Sequence, residues 1–298
     1  MTALSPAGGV NTLRAWLLAA RPATLPLAIG PVAVGTALAA RDGAWHIWSA
    51  LAALVGAILI QIGTNLYNDY GDFIRGADDD HRLGPARATQ RGWMTPDQVR
   101  AAALAAFAAA GVCGLYLAAR GGAAIVVLGL CSIAAGIAYT GGPWPLAYVG
   151  LGDVFVLAFF GIAAVAGSHY VQTGVLSWTA IVGGAAVGAL ATAVLVVNNL
   201  RDRVGDDAVG KRTLVVRFGD TFGRFEYLTL VLLAYALMVL LALGTGDGWL
   251  LLPCASLPLA MHQVRALWHA RGADLNPHLS RTAKLALLFN ALFAVGAW

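Results

Sequence analysis

Runs of about twenty apolar residues follow one another along this chain, joined mostly by short connections, and no other feature limits its possible folds so strongly. They lie at 23–40, 44–67, 101–119, 122–138, 149–168, 178–200, 227–244, 249–264 and 279–298. A bilayer has a hydrocarbon core about 30 Å thick, which about 20 residues of helix will cross. The expectation is an all-α membrane protein with about nine transmembrane helices. Composition agrees, since only 11% of the 298 residues are charged and a soluble domain carries about 25%.

Lys and Arg set the orientation, because cytoplasmic loops retain positive charge. With the N-terminus in the cytoplasm, all 19 of them except Arg41 and Arg120 fall on the cytoplasmic side. The pI near 9.1 is then a topology signal spread over loops, not a nucleic-acid surface. The polar opening as far as Ala20 runs into a span containing Pro22, Pro26 and Pro31, without the cleavage site of a signal peptide. Residues 1–14 read as an N-terminal tail and 15–298 as a single transmembrane domain.

Acidic residues concentrate at the ends of two runs. Asn65-x-x-x-Asp69-x-x-Asp72 closes the second and Asn198-x-x-x-Asp202-x-x-x-Asp206 the sixth. Positions i, i+3 and i+4 share a helix face, so each set projects together if its helix continues past the apolar segment. Like charges at membrane depth disfavour one another's ionised forms unless a cation offsets them. Mg²⁺ suits such a place: it takes hard oxygen ligands, keeps part of its water and borrows oxygens from a substrate phosphate. Two such sets point to a metal-bridged diphosphate, with Asp69, Asp72, Asp202 and Asp206 as metal carriers and Asn65 and Asn198 completing the shell. Two long loops, 70–96 and 201–225, follow the acids and carry Arg82, Arg87, Lys211 and Arg212. These cations are candidates for holding the diphosphate and stabilising its charge as it leaves, and Thr213 is a further phosphate candidate. Three other readings fit part of the pattern: interfacial ion pairs, a non-catalytic lipid-binding or assembly protein, and an ion-coupled transporter. Transport predicts acids at mid-span, whereas here they cluster at one end.

Local signals are few. Thr95-Pro96-Asp97-Gln98 has the spacing of a capping box with proline at the first helical position. Gly184-x-x-x-Gly188 would let a neighbouring backbone approach closely. Cys113, Cys131 and Cys254 lie inside apolar runs and read as packing residues, and the six histidines show no metal-ligand spacing.

Asn68-Asp69-Tyr70-Gly71-Asp72-Phe73, Arg82-Leu83-Gly84-Pro85, Asn198-Asn199-Leu200-Arg201-Asp202 and Gly210-Lys211-Arg212-Thr213-Leu214 closely resemble the UbiA superfamily of intramembrane aromatic prenyltransferases. Within it, Arg21-Pro22-Ala23-Thr24-Leu25-Pro26, Tyr139-Thr140-Gly141-Gly142-Pro143, Gly150-Leu151-Gly152-Asp153 and Tyr170-Val171-Gln172-Thr173 are similar to the menaquinone branch. The resemblance runs from about Trp16 to the last helix. It implies a nine-helix bundle around a central cavity open to the cytoplasmic side and to lipid, in the inner (plasma) membrane of a bacterium. It also implies the reaction. Mg²⁺ on the two aspartate motifs would bind a polyprenyl diphosphate and help it ionise, and the allylic cation would alkylate 1,4-dihydroxy-2-naphthoate with loss of the ring carboxylate as CO₂. The nearest rival prenylates 4-hydroxybenzoate for ubiquinone and keeps the carboxylate; the Tyr139–Pro143 turn favours the naphthoate.

A carbocation needs a dry site with π-rich walls, for which Tyr139 and Tyr67 are candidates. Asp153 and Arg201 join them as expected members of the acceptor pocket. The superfamily's first motif often continues as D-x-x-x-D. Here Gly76 stands four residues after Asp72, and Asp78 is the expected substitute ligand. His169 stands where the branch would place a hydroxyl or aromatic residue, which would put it in the acceptor pocket too.

Overall fold

A computed structural model describes residues 11–77 and 83–298, and among them every regular element is helical. Helix α1 (Thr12–Ala20) begins inside the stretch expected as tail, capped by Asn11, whose side-chain oxygen accepts the Arg14 N–H at 2.8 Å. It meets α2 (Pro26–Arg41) at a bend of 49°. Next come α3 (Ile47–Ile74), α4 (Pro96–Ala138) and α5 (Gly152–Thr173), the last containing a π-helical stretch at Leu157–Ala163. The chain ends with α6 (Trp178–Ala208), α7 (Leu214–Thr245), α8 (Gly248–Leu267) and α9 (Leu275–Ala297).

Among the described residues seven helices are long and apolar enough to cross a membrane, or eight when the bent α1–α2 pair counts as one span. Nine were expected. The difference lies in α4, whose 43 residues hold both expected spans 101–119 and 122–138. A straight helix of that length would run about 65 Å, more than twice the hydrocarbon core. Gly122, at φ 64° and ψ −155°, interrupts it; that conformation is open to glycine and strained for other residues.

The expected loop 201–225 is mostly helix. Its polar residues do not end α6, which continues to Ala208, and α7 starts at Leu214. Only 209–213 connect the two. Thr213 opens α7 as its cap, the hydroxyl accepting the Val216 N–H at 3.2 Å. The capping box at Thr95 is present at the start of α4, with Gln98 reciprocating.

Helix α6 forms the centre of the bundle. Leu190, Ala193, Val196 and Val197 are fully buried with Val34 and Leu38 of α2, Tyr227 and Met238 of α7, and Phe289 and Phe293 of α9. Glycines allow the closest approach: a Cβ at Gly161 in the π stretch would overlap the backbone of Gly184 and Gly188 on α6. A smaller apolar cluster (Ala15, Ala19, Leu66, Ala88, Met94 and Val99) packs α1 and the α3–α4 connection over the end of α3. That end of the bundle carries the acids.

Candidate active site

Because α3 runs on to Ile74 and α6 to Ala208, each Asn/Asp set stands on one continuous helix. Asp69 is held by the α3–α4 connection. Its Oδ2 accepts the Ala88 N–H at 2.9 Å, and its Oδ1 accepts the Thr89 N–H at 3.3 Å and the Thr89 hydroxyl. Asp72 Oδ1 accepts from the Tyr148 hydroxyl at 3.1 Å and Oδ2 from Arg87 Nη2 at 3.2 Å. Asp202 takes a two-pronged grip from Arg201, whose Nε and Nη2 lie 2.7 and 2.6 Å from its oxygens. Arg201 also donates to Asn198 Oδ1 at 2.7 Å and Asn276 Oδ1 at 3.2 Å. Asp206 Oδ1 is 3.3 Å from Lys211 Nζ, while its Oδ2 is buried without a partner.

Lys211 ties the two sets together. Burial works against its charge, but Asp206, Asp72 and Asp202 together outweigh that and push its pKa above the usual lysine value. Asp206 of α6 lies 3.3 Å from this ammonium and Tyr148, bonded to Asp72 of α3, lies 5.8 Å from it, so the two acidic sets meet around one polar chamber. Tyr148 sits between them, its ring 5.8 Å from Lys211 Nζ and 5.3 Å from the Arg75 guanidinium carbon. Burial, then the charge of Asp72, pushes its phenol up, so it stays a hydrogen-bond donor to that carboxylate. Backbone bonds fix the arrangement: the Lys211 N–H donates to Asp206 O at 2.8 Å and the Arg212 N–H to Tyr148 O at 2.9 Å.

Next to the chamber lies an apolar cavity of about 440 Å³ bounded by α2, α3, α4 and α5. Tyr139, just past the end of α4, lines it. Burial and then the charges of Asp153, Asp72 and Asp206 raise its phenol pKa, so its hydroxyl stays neutral. Phe155, Phe159 and Phe160 add aromatic lining, and Gln61 and Thr64 add polar atoms. Asp153 is buried; its carbonyl accepts from the Thr192 hydroxyl at 3.4 Å and its Oδ1 has no partner. Tyr67 packs edge-on to Tyr70 at 5.7 Å and against Gly141. Asn65 Nδ2 donates to Ala20 O at 3.0 Å and Thr24 Oγ1 at 2.9 Å, fastening the α1–α2 junction to α3.

Three residues singled out in the sequence have identified partners here. Thr213 caps α7, its hydroxyl accepting the Val216 N–H. Arg201 grips Asp202. His169 lies at the opposite end of the bundle, its Nε2 2.8 Å from Asp42 Oδ2 beyond the end of α2, and it does not line the cavity. The Arg212 side chain is exposed. Asp78 and Arg82 fall outside the described residues. Residues that sequence reasoning passed over include Tyr148, Thr89 and Asn276, which donates to Leu83 O at 3.0 Å. Tyr148 lies between the Tyr139–Pro143 and Gly150–Asp153 motifs, and that place was its only signal.

The donor chemistry fits a hard cation. Four carboxylates supply oxygens with two lone pairs each, and one buried oxygen of Asp206 is unpartnered. Among the described residues no three acidic, His or Cys side chains stand close enough together to hold a metal ion by themselves, so a cation here would take most of its shell from water and a bound anion.

Fold and site define an all-helical, multi-pass membrane protein with a charged chamber at one end of the bundle and an apolar cavity beside it. Residues 28–288 match the UbiA prenyltransferase family, to which this chain belongs. It is 41% identical over 297 residues to the 1,4-dihydroxy-2-naphthoate octaprenyltransferase of Escherichia coli (strain K12), with 96% of each chain covered. It is also 41% identical over 283 residues to the enzyme of that name in Mycobacterium tuberculosis, covering 95% of this chain and 96% of the relative. Among solved structures, the apo UbiA homolog from Aeropyrum pernix K1 superposes with a TM-score of 0.72 at 14% identity, over 90% of this chain and 97% of that one. A UbiA homolog from Archaeoglobus fulgidus bound to GPP and Mg²⁺ gives 0.66 at 16% identity, over 95% and 99%. At such identities these structures speak for the fold alone.

Proposed function

We propose that the protein transfers a polyprenyl group from its diphosphate to 1,4-dihydroxy-2-naphthoate, releasing diphosphate and CO₂ and forming demethylmenaquinol. The observation that carries the geometry is the meeting of the two acidic sets about Tyr148 and Lys211 at one end of a bundle that also holds an apolar cavity lined by Tyr139. A substrate with a polyanionic head and a long apolar tail fits that pair of spaces, with its reacting carbon near Tyr139. Full-length relatives at 41% identity that carry the dihydroxynaphthoate name support the choice of acceptor.

Asp69, Asp72, Asp202 and Asp206, with Asn65 and Asn198, would hold Mg²⁺. When bound, it supplies Lewis-acid withdrawal of charge from the departing diphosphate. Lys211 and Arg87 sit where they oppose the negative charge that grows as the carbon–oxygen bond breaks, an interaction strongest in the transition state. The bond's electron pair leaves with the diphosphate. The allylic cation then accepts a pair from the ring carbon bearing the carboxylate, and departure of CO₂ returns a pair to the ring and restores aromaticity. Tyr139 and the phenylalanines of α5 exclude water that would otherwise capture the cation.

The deciding experiment supplies purified protein, Mg²⁺ and a polyprenyl diphosphate with acceptors labelled at the ring carboxylate. Label should leave as CO₂ from dihydroxynaphthoate. Prenylation of 4-hydroxybenzoate with the label retained, and no reaction of the naphthoate, would replace this reading with the ubiquinone one.

A further inference from the structure

The turn that carries Tyr139 is fastened to the helix that carries Asp72, and an arginine outside the proposed diphosphate set makes two of the bonds. Asn68, Gly71, Asp72 and Arg75 follow one another at the i, i+3, i+4 and i+7 spacing of a single helix face. Arg75 ends α3 as its C-cap with helical backbone angles, so it keeps that face. Residues 139–142, just past α4, lie against it. The Thr140 hydroxyl donates to Asn68 Oδ1 at 3.0 Å, and a Cβ at Gly71 would stand 2.7 Å from Thr140 Oγ1. Arg75 Nε donates to Thr140 O at 3.1 Å and Arg75 Nη2 to Gly142 O at 2.6 Å. The same guanidinium lies over the Tyr148 ring, whose hydroxyl donates to Asp72.

Carbonyls beyond a helix end need donors from elsewhere. A guanidinium is planar and rigid, and its fork holds two acceptors in a fixed geometry that an ammonium on a flexible stem does not reproduce. Arg75 therefore sets the path of the turn as it leaves α4, and with it the place of Tyr139, which lines the apolar cavity. Arg75 is itself exposed, so its bonds can be removed without opening the core.

We propose that Arg75 is a positioning residue for the aromatic acceptor: by clamping the Thr140 and Gly142 carbonyls it holds Tyr139 at the cavity wall in fixed register with Asp72. This rests on the prenyl-transfer reading above and adds to it a residue that aligns one substrate with the other. Donor and acceptor must meet with their reacting carbons aligned, and a misplacement of about 1 Å costs about 10²-fold in rate. Arg75 acts through the turn and not by contact with either substrate.

The test uses the full chain with Mg²⁺, a polyprenyl diphosphate and dihydroxynaphthoate, comparing wild type, R75M, R75K and T140V. R75M should lower kcat/KM for the acceptor by about 10- to 100-fold and leave the KM for the diphosphate within about twofold. R75K keeps the charge and loses the fork, so it should stay closer to R75M than to wild type. T140V removes the bond to Asn68 and should give the same acceptor-selective loss; combined with R75M it should cost less than the two losses multiplied, since both act on one turn. An unchanged acceptor kcat/KM in R75M, a diphosphate KM that rises as much as the acceptor KM, an R75K that matches wild type, or full additivity with T140V would overturn the proposal. A wild type that consumes no dihydroxynaphthoate would instead remove the transfer reading on which it rests.

Discussion

Asp206 and Asp207 are neighbours with opposite surroundings, and the contrast isolates what the chamber needs. Asp206 is buried with one oxygen on Lys211 and one unpartnered, while Asp207 is exposed on the far side of the same turn. D206N should lower turnover by at least about 10²-fold, the scale of losing one electrostatic contact in a transition state, whereas D207N should stay within about twofold. Near-normal turnover in D206N would remove it from the metal and diphosphate machinery. Removal of divalent metal by chelation should stop the wild type, and re-addition should restore it. That each acidic set stands on one continuous helix was legible because carboxylates are rare here and both sets end apolar runs at helical spacing. What holds them was not. Tyr148 reaches Asp72 and Thr89 reaches Asp69 across 76 and 20 residues of sequence, and no periodicity reports a contact made by folding. Thr213 shows a related limit, since a threonine before a helix and a threonine beside a phosphate look alike in sequence.

Helix positions were legible to within a few residues where apolar runs are long, and less so where polar residues extend them. The 201–225 stretch looked like a loop because it is charged, yet α6 runs on to Ala208 with Asp202 paired to Arg201 and Asp206 to Lys211. Helix packing shows the same dependence on context. Gly161 and Gly205 are both glycines within helices, but a Cβ at Gly161 would enter the backbone of α6 and one at Gly205 would meet nothing within 4 Å. A backbone cannot yield as a flexible side chain can. G161A should therefore destabilise the protein by about 1–3 kcal/mol, and G205A should leave stability unchanged or raise it by up to about 1 kcal/mol. Thermal unfolding in detergent measures both, and a G161A midpoint equal to that of wild type would contradict the close α5–α6 contact.

At the scale of the whole molecule, the bundle has two unlike ends. The acid-bearing end carries the chamber and the α3–α4 and α6–α7 connections with their arginines and Lys211. The opposite end gathers Asp42, His169 and the Arg41–Asp247 ion pair at 2.7 Å, with His46 bonded to Gln172. Arg41 and Arg120 were the two cations that charge asymmetry assigned outside. Positive loops resist export across the membrane, so the chamber end should face the cytoplasm and the Asp42–Asp247 end the other side. A diphosphate head cannot cross lipid unaided, because an ion in hydrocarbon is unfavourable by many kcal/mol; the side on which the chamber opens thus decides from which compartment the donor is drawn. With Cys113, Cys131 and Cys254 replaced by serine, a single cysteine at Val175, exposed in the α5–α6 turn, should react with a membrane-impermeant thiol reagent in intact cells. One at Arg91, exposed beside the chamber, should react only after the membrane is opened. The reverse pattern would invert the protein and require the donor to arrive from outside.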